Sequence, residues 1–359
     1  MLIKNILTSV SDSYDFEGKD EVIFLNTGDV SEGKILHNNY TNISILPGQA
    51  KKSIMNYDLL YSEIRPINRH YALVNVNNPE KYVVSTKLMV LRKKSGDYDI
   101  NYLYQFLISN KVINNLQSIA ESRSGTFPQI TYEILSMLEV PDISISEQQH
   151  IVNILGTIDD KIENNESLIA KINESTKLFY ISFCNNGFVD EVLESYIENY
   201  DRQRKPLSSR ERDFLEKIYP YYGATEVLDY VDNYLFDGDY LLMGEDGTVA
   251  DSLGFPIVQR VNEKFWANNH THILKAKNGI DNNVLELILK NTNVQSIITG
   301  AVQPKINQAN MNSLKIKVPN DVEKLMKTIV PYFEKRQSLI DENKKLNKLK
   351  QLYLKKFFN

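Results

Sequence analysis

Ser146-Glu147-Gln148-Gln149-His150-Ile151-Val152-Asn153-Ile154-Leu155-Gly156-Thr157-Ile158-Asp159-Asp160-Lys161-Ile162 opens a stretch, running on to Cys184, whose periodicity decides the architecture. Apolar residues fall at Ile151, Leu155, Ile158, Ile162, Ile169, Ile172, Phe179 and Phe183, with Asn165 and Thr176 completing a 4-3-4-3 rhythm. That rhythm is a heptad seam on one unbroken helix. Ser146 and Gln149 have the spacing of a capping box, and no Pro or helix-ending Gly intervenes before Gly187. At 1.5 Å per residue the rod measures roughly 55–60 Å, longer than one compact domain needs for its own core.

The stretch has a near-copy from Asp321 to the C-terminus. At an offset of 178, Pro141 meets Pro319, Ile151 meets Ile329, Leu155 meets Phe333, Ile162 meets Ile340 and Asn165 meets Asn343. The chain therefore reads as a tandem duplication, with an Asn at equivalent seam positions acting as a register device. The expected fold class is α+β. Two mixed α/β domains at 1–143 and 187–319 alternate with spacer helices at 144–186 and 320–359, which pair as an antiparallel coiled coil.

Within the first domain, Val22–Leu25, Tyr57–Tyr61, Tyr71–Val74 and Lys87–Leu91 read as short strands, and Ile100–Ala120 as one helix. Gly187–Pro206 reads as a linker. In the second domain Asp239–Met243 parallels Asp58–Tyr61, Thr271–Leu274 parallels Leu88–Leu91, and Val284–Leu289 parallels the helix at Tyr102. Two Gly- and Pro-bearing loops, Ser124–Ile130 and Gly300–Ile306, recur just before the two rods.

Composition narrows the function classes. The chain has 359 residues, 42% hydrophobic, and one cysteine, Cys184, so an internal disulfide is impossible. With neither a signal peptide nor an apolar run near 18 residues, the expectation is a soluble cytoplasmic protein with no membrane role. No phosphate loop, dinucleotide fingerprint, nucleophile elbow, zinc-binding spacing or Asn-Pro-Pro-aromatic tetrapeptide is present, so no catalytic or metal site is expected. Pro141-Asp142 with Asp159-Asp160-Lys161 imitates a nuclease metal motif, but on the flank of a heptad helix those charges read as a solvated face.

What remains is recognition chemistry. Arg, Lys, Asn and Gln pair with base edges, while Ser, Thr, Tyr and Lys hold phosphates. Candidates are Lys51, Lys52, Arg65, Arg69, Lys87, Arg123, Ser124, Thr126 and Gln129 in the first half. In the second they are Arg204, Tyr221, Tyr222, Asn268, Asn269, His270, Gln303 and Lys305. The formal charge of −5 opposes this reading, because phosphate binding normally shows as a basic excess.

The layout resembles the specificity (S) subunit of type I restriction–modification systems. The resemblance is carried by Gly125…Pro128-Gln129-Ile130…Leu138-Glu139-Val140-Pro141 leading into Ser146-Glu147-Gln148-Gln149, and by Tyr221-Tyr222-Gly223 and Asp239–Gly247 in the second half. It spans the whole chain, though Asp321-Val322-Glu323-Lys324 departs from the usual start of the second rod. It implies a non-catalytic reader of a split, asymmetric double-stranded DNA sequence in a prokaryotic cytoplasm. Two DNA methyltransferase (M) subunits and restriction/translocase (R) subunits would be partners. S-adenosylmethionine, ATP and Mg would sit on those partners, which would also share the phosphate neutralisation. The alternatives are a structural coiled-coil adaptor that binds only proteins, and the same reader in a methyltransferase-only system.

Overall fold

The computed structural model describes the chain except residues 95, 124–126, 301 and 359. It divides into two compact units, Met1–Asn164 with Asn343–Asn359, and Asn165–Glu342.

In the first unit, an antiparallel sheet runs in the order Leu7–Val10, Leu88–Lys93, Leu59–Ser62, Tyr71–Leu73. A second sheet orders Thr41–Asn42, Glu21–Leu25, Tyr82–Ser85 and Ala50–Ser53, with one parallel pairing between Glu21–Leu25 and Tyr82–Ser85. The apolar run at Leu88–Leu91 does not alternate with polar residues because both of its faces are covered. Met89 and Leu91 join Leu59, Tyr61 and the helices in one core, while Leu88 and Val90 join Leu60, Ala72 and Val84 in another. Strand periodicity of two thus places a single sheet between a helical layer and a second sheet.

The sequence predicts one helix over Ile100–Ala120; the structure has two, Ile100–Leu107 and Asn110–Arg123. Ser109 makes the break, since its carbonyl accepts from Ile113 N at 2.9 Å and starts the second helix. The strand expected from Tyr57 begins at Leu59, because Tyr57 has φ 70° and belongs to a turn.

The second unit holds a six-stranded sheet ordered Ile197–Asn199, Thr271–Ala276, Phe236–Gly244, Val258–Ala267, Tyr219–Tyr222, Val227–Val231. It is two-faced in the same way: Leu241, Met243 and Leu274 face the helix Asn282–Lys290, while Tyr240, Leu242 and Ile273 pack with Phe236 and Phe265. The expected linker at 187–206 is instead part of this unit. Phe188–Val192 pairs with Lys315–Pro319, and Ile197–Asn199 edges the large sheet, so its backbone groups are bonded within the unit rather than left to solvent.

Two long helices, Ile145–Asn185 and Val322–Phe358, contribute a segment to each unit. The first is capped two residues earlier than the sequence suggests. Ser144 Oγ accepts from Glu147 N at 3.3 Å and Glu147 Oε2 from Ser144 N at 2.9 Å, which leaves Gln148 free to turn inward. Buried there, Gln148 accepts from Asp99 N and donates to Asp97 O and Ile143 O.

Within the first unit, Ile151 and Leu155 share a core with Leu354 and Phe358, and Lys350 Nζ lies 2.6 Å from Asp159 Oδ1. Asp159, which the sequence places on a solvated helix face, is instead an ion-pair partner. Asn343 reaches the Ile162 carbonyl at 3.5 Å. Within the second, Asn165 Nδ2 donates to Glu342 Oε2 at 2.8 Å, Arg336 donates to Asn173 at 3.1 Å, and the Phe179 and Tyr332 rings meet at 5.3 Å. In each unit the partner numbers fall as the first helix ascends, so the two segments are antiparallel there. Every predicted seam residue of the first helix is buried or half-buried, as are Ile329, Phe333, Ile340 and Asn343.

Arg336 occupies the register position that Ile158 holds in the first helix, again at an offset of 178. Its guanidinium grips the buried Glu286 with two bonds of 2.8 and 2.6 Å, and Lys290 adds a third at 2.8 Å. Burial raises the Glu286 pKa, but Arg336 and Lys290 together overcome it and hold the carboxyl at about 2. Among the described residues, no helix is long and apolar enough to cross a membrane.

Candidate nucleic-acid interface

In the first unit, strand Leu59–Ser62 delivers Glu63-Ile64-Arg65 to a loop-lined edge. Glu63 N donates to Lys87 O at 3.0 Å, and Ile130 N donates to Glu63 O at 2.8 Å. Ile64 bridges Gln129, and Arg65 N donates to Pro128 O at 3.1 Å. This backbone lattice gathers Arg65, Lys87 and Gln129, and Arg123 ends the helix that leads into the same loop. Ser124 and Thr126 lie outside the described residues.

Arg69 is turned away to Asn110 Oδ1 at 2.6 Å, and Lys87 Nζ is 3.9 Å from Glu63. Lys51 is exposed on strand Ala50–Ser53 of the other sheet. Lys52 points inward from that strand; its ammonium donates to Leu88 O at 2.8 Å and Thr86 O at 3.1 Å, and burial lowers its pKa. It props the turn that carries Lys87 instead of lying on the edge.

The second unit repeats the lattice. Glu245 N donates to His270 O at 2.9 Å, Ile306 N to Glu245 O at 2.8 Å and Gly247 N to Pro304 O at 3.0 Å, while Asp246 bridges Lys305. Thr299 and Lys305 exchange backbone bonds of 2.8 and 2.7 Å. Gly300, at φ 88°, closes this loop where an added Cβ would stand 2.2 Å from Gln303 O. Gln303, Lys305, Asn269 and His270 are exposed around it.

The side chains on the two lattices are unlike. Gly247 stands for Arg65, Asp246 for Ile64, His270 for Lys87 and Lys305 for Gln129. The basic side chains of the second edge are tied to carboxylates. Arg204 donates to Glu245 Oε2 at 2.7 Å and to Thr271 O at 2.6 Å, Lys305 lies 3.3 Å from Glu245, and His270 Nδ1 contacts Asp246.

Beneath them the fully buried His272 places Nδ1 2.6 Å from Asp201 Oδ2 and Nε2 2.8 Å from Ile306 O. Burial raises the Asp201 pKa, but the His272 contact and the Ile273 amide outweigh it and leave the carboxyl below its usual range. Asp201, Glu245 and His272 are close enough to share a cation, yet Arg204 already supplies the positive charge, 2.7 Å from Glu245 and 3.5 Å from Asp201. The cluster is an ion-pair brace.

Two further candidates are absorbed by the fold. Tyr221 is buried, with its hydroxyl accepting from Leu207 N at 2.9 Å under the Arg212 guanidinium. Asn268, also buried, accepts from His270 N at 2.9 Å and shapes the turn. Tyr222 is half-buried and donates to Glu263 at 3.2 Å. Glu63 escaped the sequence reading, and Glu245 entered it only as part of the Asp239–Gly247 motif, although the two are the centres of the lattices. Their shared offset of 182, with each following a buried strand, is the signal that could have found them.

Two α+β modules, each with a loop-built edge at the same strand end, define a tandem two-headed protein of modular design. Its sequence matches the family described as type I restriction modification DNA specificity domain over residues 3–174 and again over 187–351. The chain belongs to that family.

The chain is 42% identical over 186 residues, 52% of its own length, to the HindI specificity subunit of Haemophilus influenzae. It is 22% identical over 339 residues to the EcoprrI specificity subunit of Escherichia coli, covering 89% of this chain and 81% of that one. The matches to the HindI subunit and to a second, putative H. influenzae specificity subunit cover 39% and 37% of those relatives, so this chain spans about two fifths of their length. Among solved structures, the S subunit of a type I system from M. genitalium superposes with a TM-score of 0.53 at 16% identity, covering 100% of this chain and 95% of that one. That likeness establishes the shared fold.

Proposed function

We propose that this chain is the non-catalytic DNA-reading subunit of a type I restriction–modification complex. Each module contacts one half of a split, asymmetric duplex sequence through its loop edge. The two long helices pair as a continuous antiparallel coiled coil and set the number of unread bases between the halves. The observation that carries this reading is the edge lattice itself. The same backbone bonds are built twice but dressed with different side chains, as two readers of unlike half-sites require. Membership of a DNA specificity family and relatives bearing specificity-subunit names support it. Opposed contacts of the helix segments within each unit, and the buried Asn165, support the coiled coil.

M subunits, two of them, and R subunits would dock on this chain in the prokaryotic cytoplasm. S-adenosylmethionine, ATP and Mg would be held by those partners. Phosphate neutralisation is then shared across the complex, which accommodates a chain of net charge −5. Methylome sequencing of cells with and without the gene tests the proposal. A bipartite methylated motif should be present only with the gene; an unchanged methylome in cells that carry the methyltransferase partner would refute it.

A further inference from the structure

Arg65 stands where a glycine belongs. Its backbone is left-handed, φ 42° and ψ 78°, and it precedes Pro66, whose ring narrows the conformations open to the residue before it. At the equivalent place the second module has Gly247 with φ 83°. The other positive-φ residues have local reasons. Asn78 and Asn278 are of the type that tolerates this region, and Glu32 lies in the two-residue loop between Val30–Ser31 and Lys34–Ile35. Tyr57 sits in the Met55–Asp58 turn, and Arg69 is anchored through Asn110.

Arg65 has no such reason. Its N–H bonds Pro128 O at 3.1 Å and its carbonyl takes Asn68 N at 2.8 Å, both of which glycine would do with less strain. Its side chain is exposed, and among the described residues the guanidinium has neither a hydrogen bond nor an ion pair. Strain kept at a position with a free side chain points to work done outside the fold.

We infer that Arg65 is the specificity-determining residue of the first module and reads a guanine. The planar guanidinium fork matches the O6 and N7 acceptors that guanine shows in the major groove, and it holds its two donors in a fixed plane where an ammonium on a flexible stem does not. Lys87, on the same edge, is a point charge suited to a phosphate. The second module, with Gly247 at this position, reads its half-site by other groups. This assignment rests on the DNA-reading function proposed above.

The test compares wild type, Arg65→Gly and Arg65→Lys, each as full chain assembled with its methyltransferase partner, by melting temperature and by methylome sequencing. Arg65→Gly should melt no lower than wild type and keep the second half of the motif. At a guanine of the first half, discrimination should fall about ten- to a hundredfold. Arg65→Lys should restore only part of it, less than the wild-type guanidinium gives. An unchanged motif in Arg65→Gly, a lowered melting temperature, or a loss confined to the second half would each overturn the assignment. A wild-type complex that methylates a single continuous motif would instead remove the two-headed reading beneath it.

Discussion

Lys87 and His270 hold the same place in the two modules. Each offers its carbonyl to the amide of a glutamate that follows a central strand, Glu63 at 3.0 Å and Glu245 at 2.9 Å. The backbone is held constant while the side chain changes from an ammonium to an imidazole. A scaffold that fixes loop positions and leaves their side chains variable suits a recognition head, because base contacts need positional accuracy from the frame and diversity from the residues.

The two edges should be separable. Arg123→Ala or Gln129→Ala should alter only one half of the methylated motif, and Gln303→Ala or Lys305→Ala only the other. Methylome sequencing reads this directly. Loss of both halves from a single loop change would argue against independent heads.

Lys52 and Lys87 should behave differently although both are lysines of the first module. Lys52→Met strands the Leu88 and Thr86 carbonyls and should cost about 1–3 kcal/mol in a denaturant melt, with the salt dependence of DNA binding unchanged. Lys87→Ala should leave stability nearly intact and reduce the slope of log K against log salt by about 1. Binding titrations of the assembled complex at several ionic strengths separate the two.

Glu286 should make the second unit acid-sensitive. Its carboxyl is held at about 2, below its usual 4.5, because Arg336 and Lys290 outweigh burial. A carboxyl with a depressed folded-state pKa adds stability that is fully present above its unfolded value and lost as pH falls through the folded one. The contribution here is on the order of 3 kcal/mol, present above about pH 4.5 and lost towards pH 2. Glu286→Gln alone leaves Arg336 buried without its counter-ion and should cost roughly 3–5 kcal/mol. Glu286→Gln with Arg336→Ile removes both buried charges together and should recover most of that loss. Denaturant melts between pH 2 and pH 7 check both statements.

Asn165 should trade stability for alignment. Fully buried with Nδ2 on Glu342, it is the kind of seam residue that fixes register at the expense of packing. Asn165→Leu should raise unfolding free energy by about 1 kcal/mol. It should also broaden the distribution of spacer lengths between the two halves of the methylated motif. A more stable variant with an unchanged single spacer would show that register is set elsewhere.

Much of the architecture was legible because it rests on local rules. Heptad spacing, the 178-residue offset and the strand-like runs at Leu88–Leu91 and Thr271–Leu274 depend on periodicity that a chain carries wherever it folds. The misreadings came where a local rule had two solutions. Ser144 and Ser146 can both cap the same helix, and the choice fell to the one that lets Gln148 turn inward. Ser109 splits an amphipathic run that periodicity alone would continue.

By itself, the sequence determined that there are two related modules, two long helices and two recurring loops. Tertiary structure alone decided which polar residues face outward. Lys51 and Lys52 are neighbours of identical type, yet one is exposed and the other is buried against the Lys87 turn, because a strand sends successive side chains to opposite faces and only the packed fold says which face is covered. Tyr221 is lost to the core and Arg65 is left standing on the edge for the same reason. Exposure is a property of what lies against a residue, and that is contributed by chain far away in sequence.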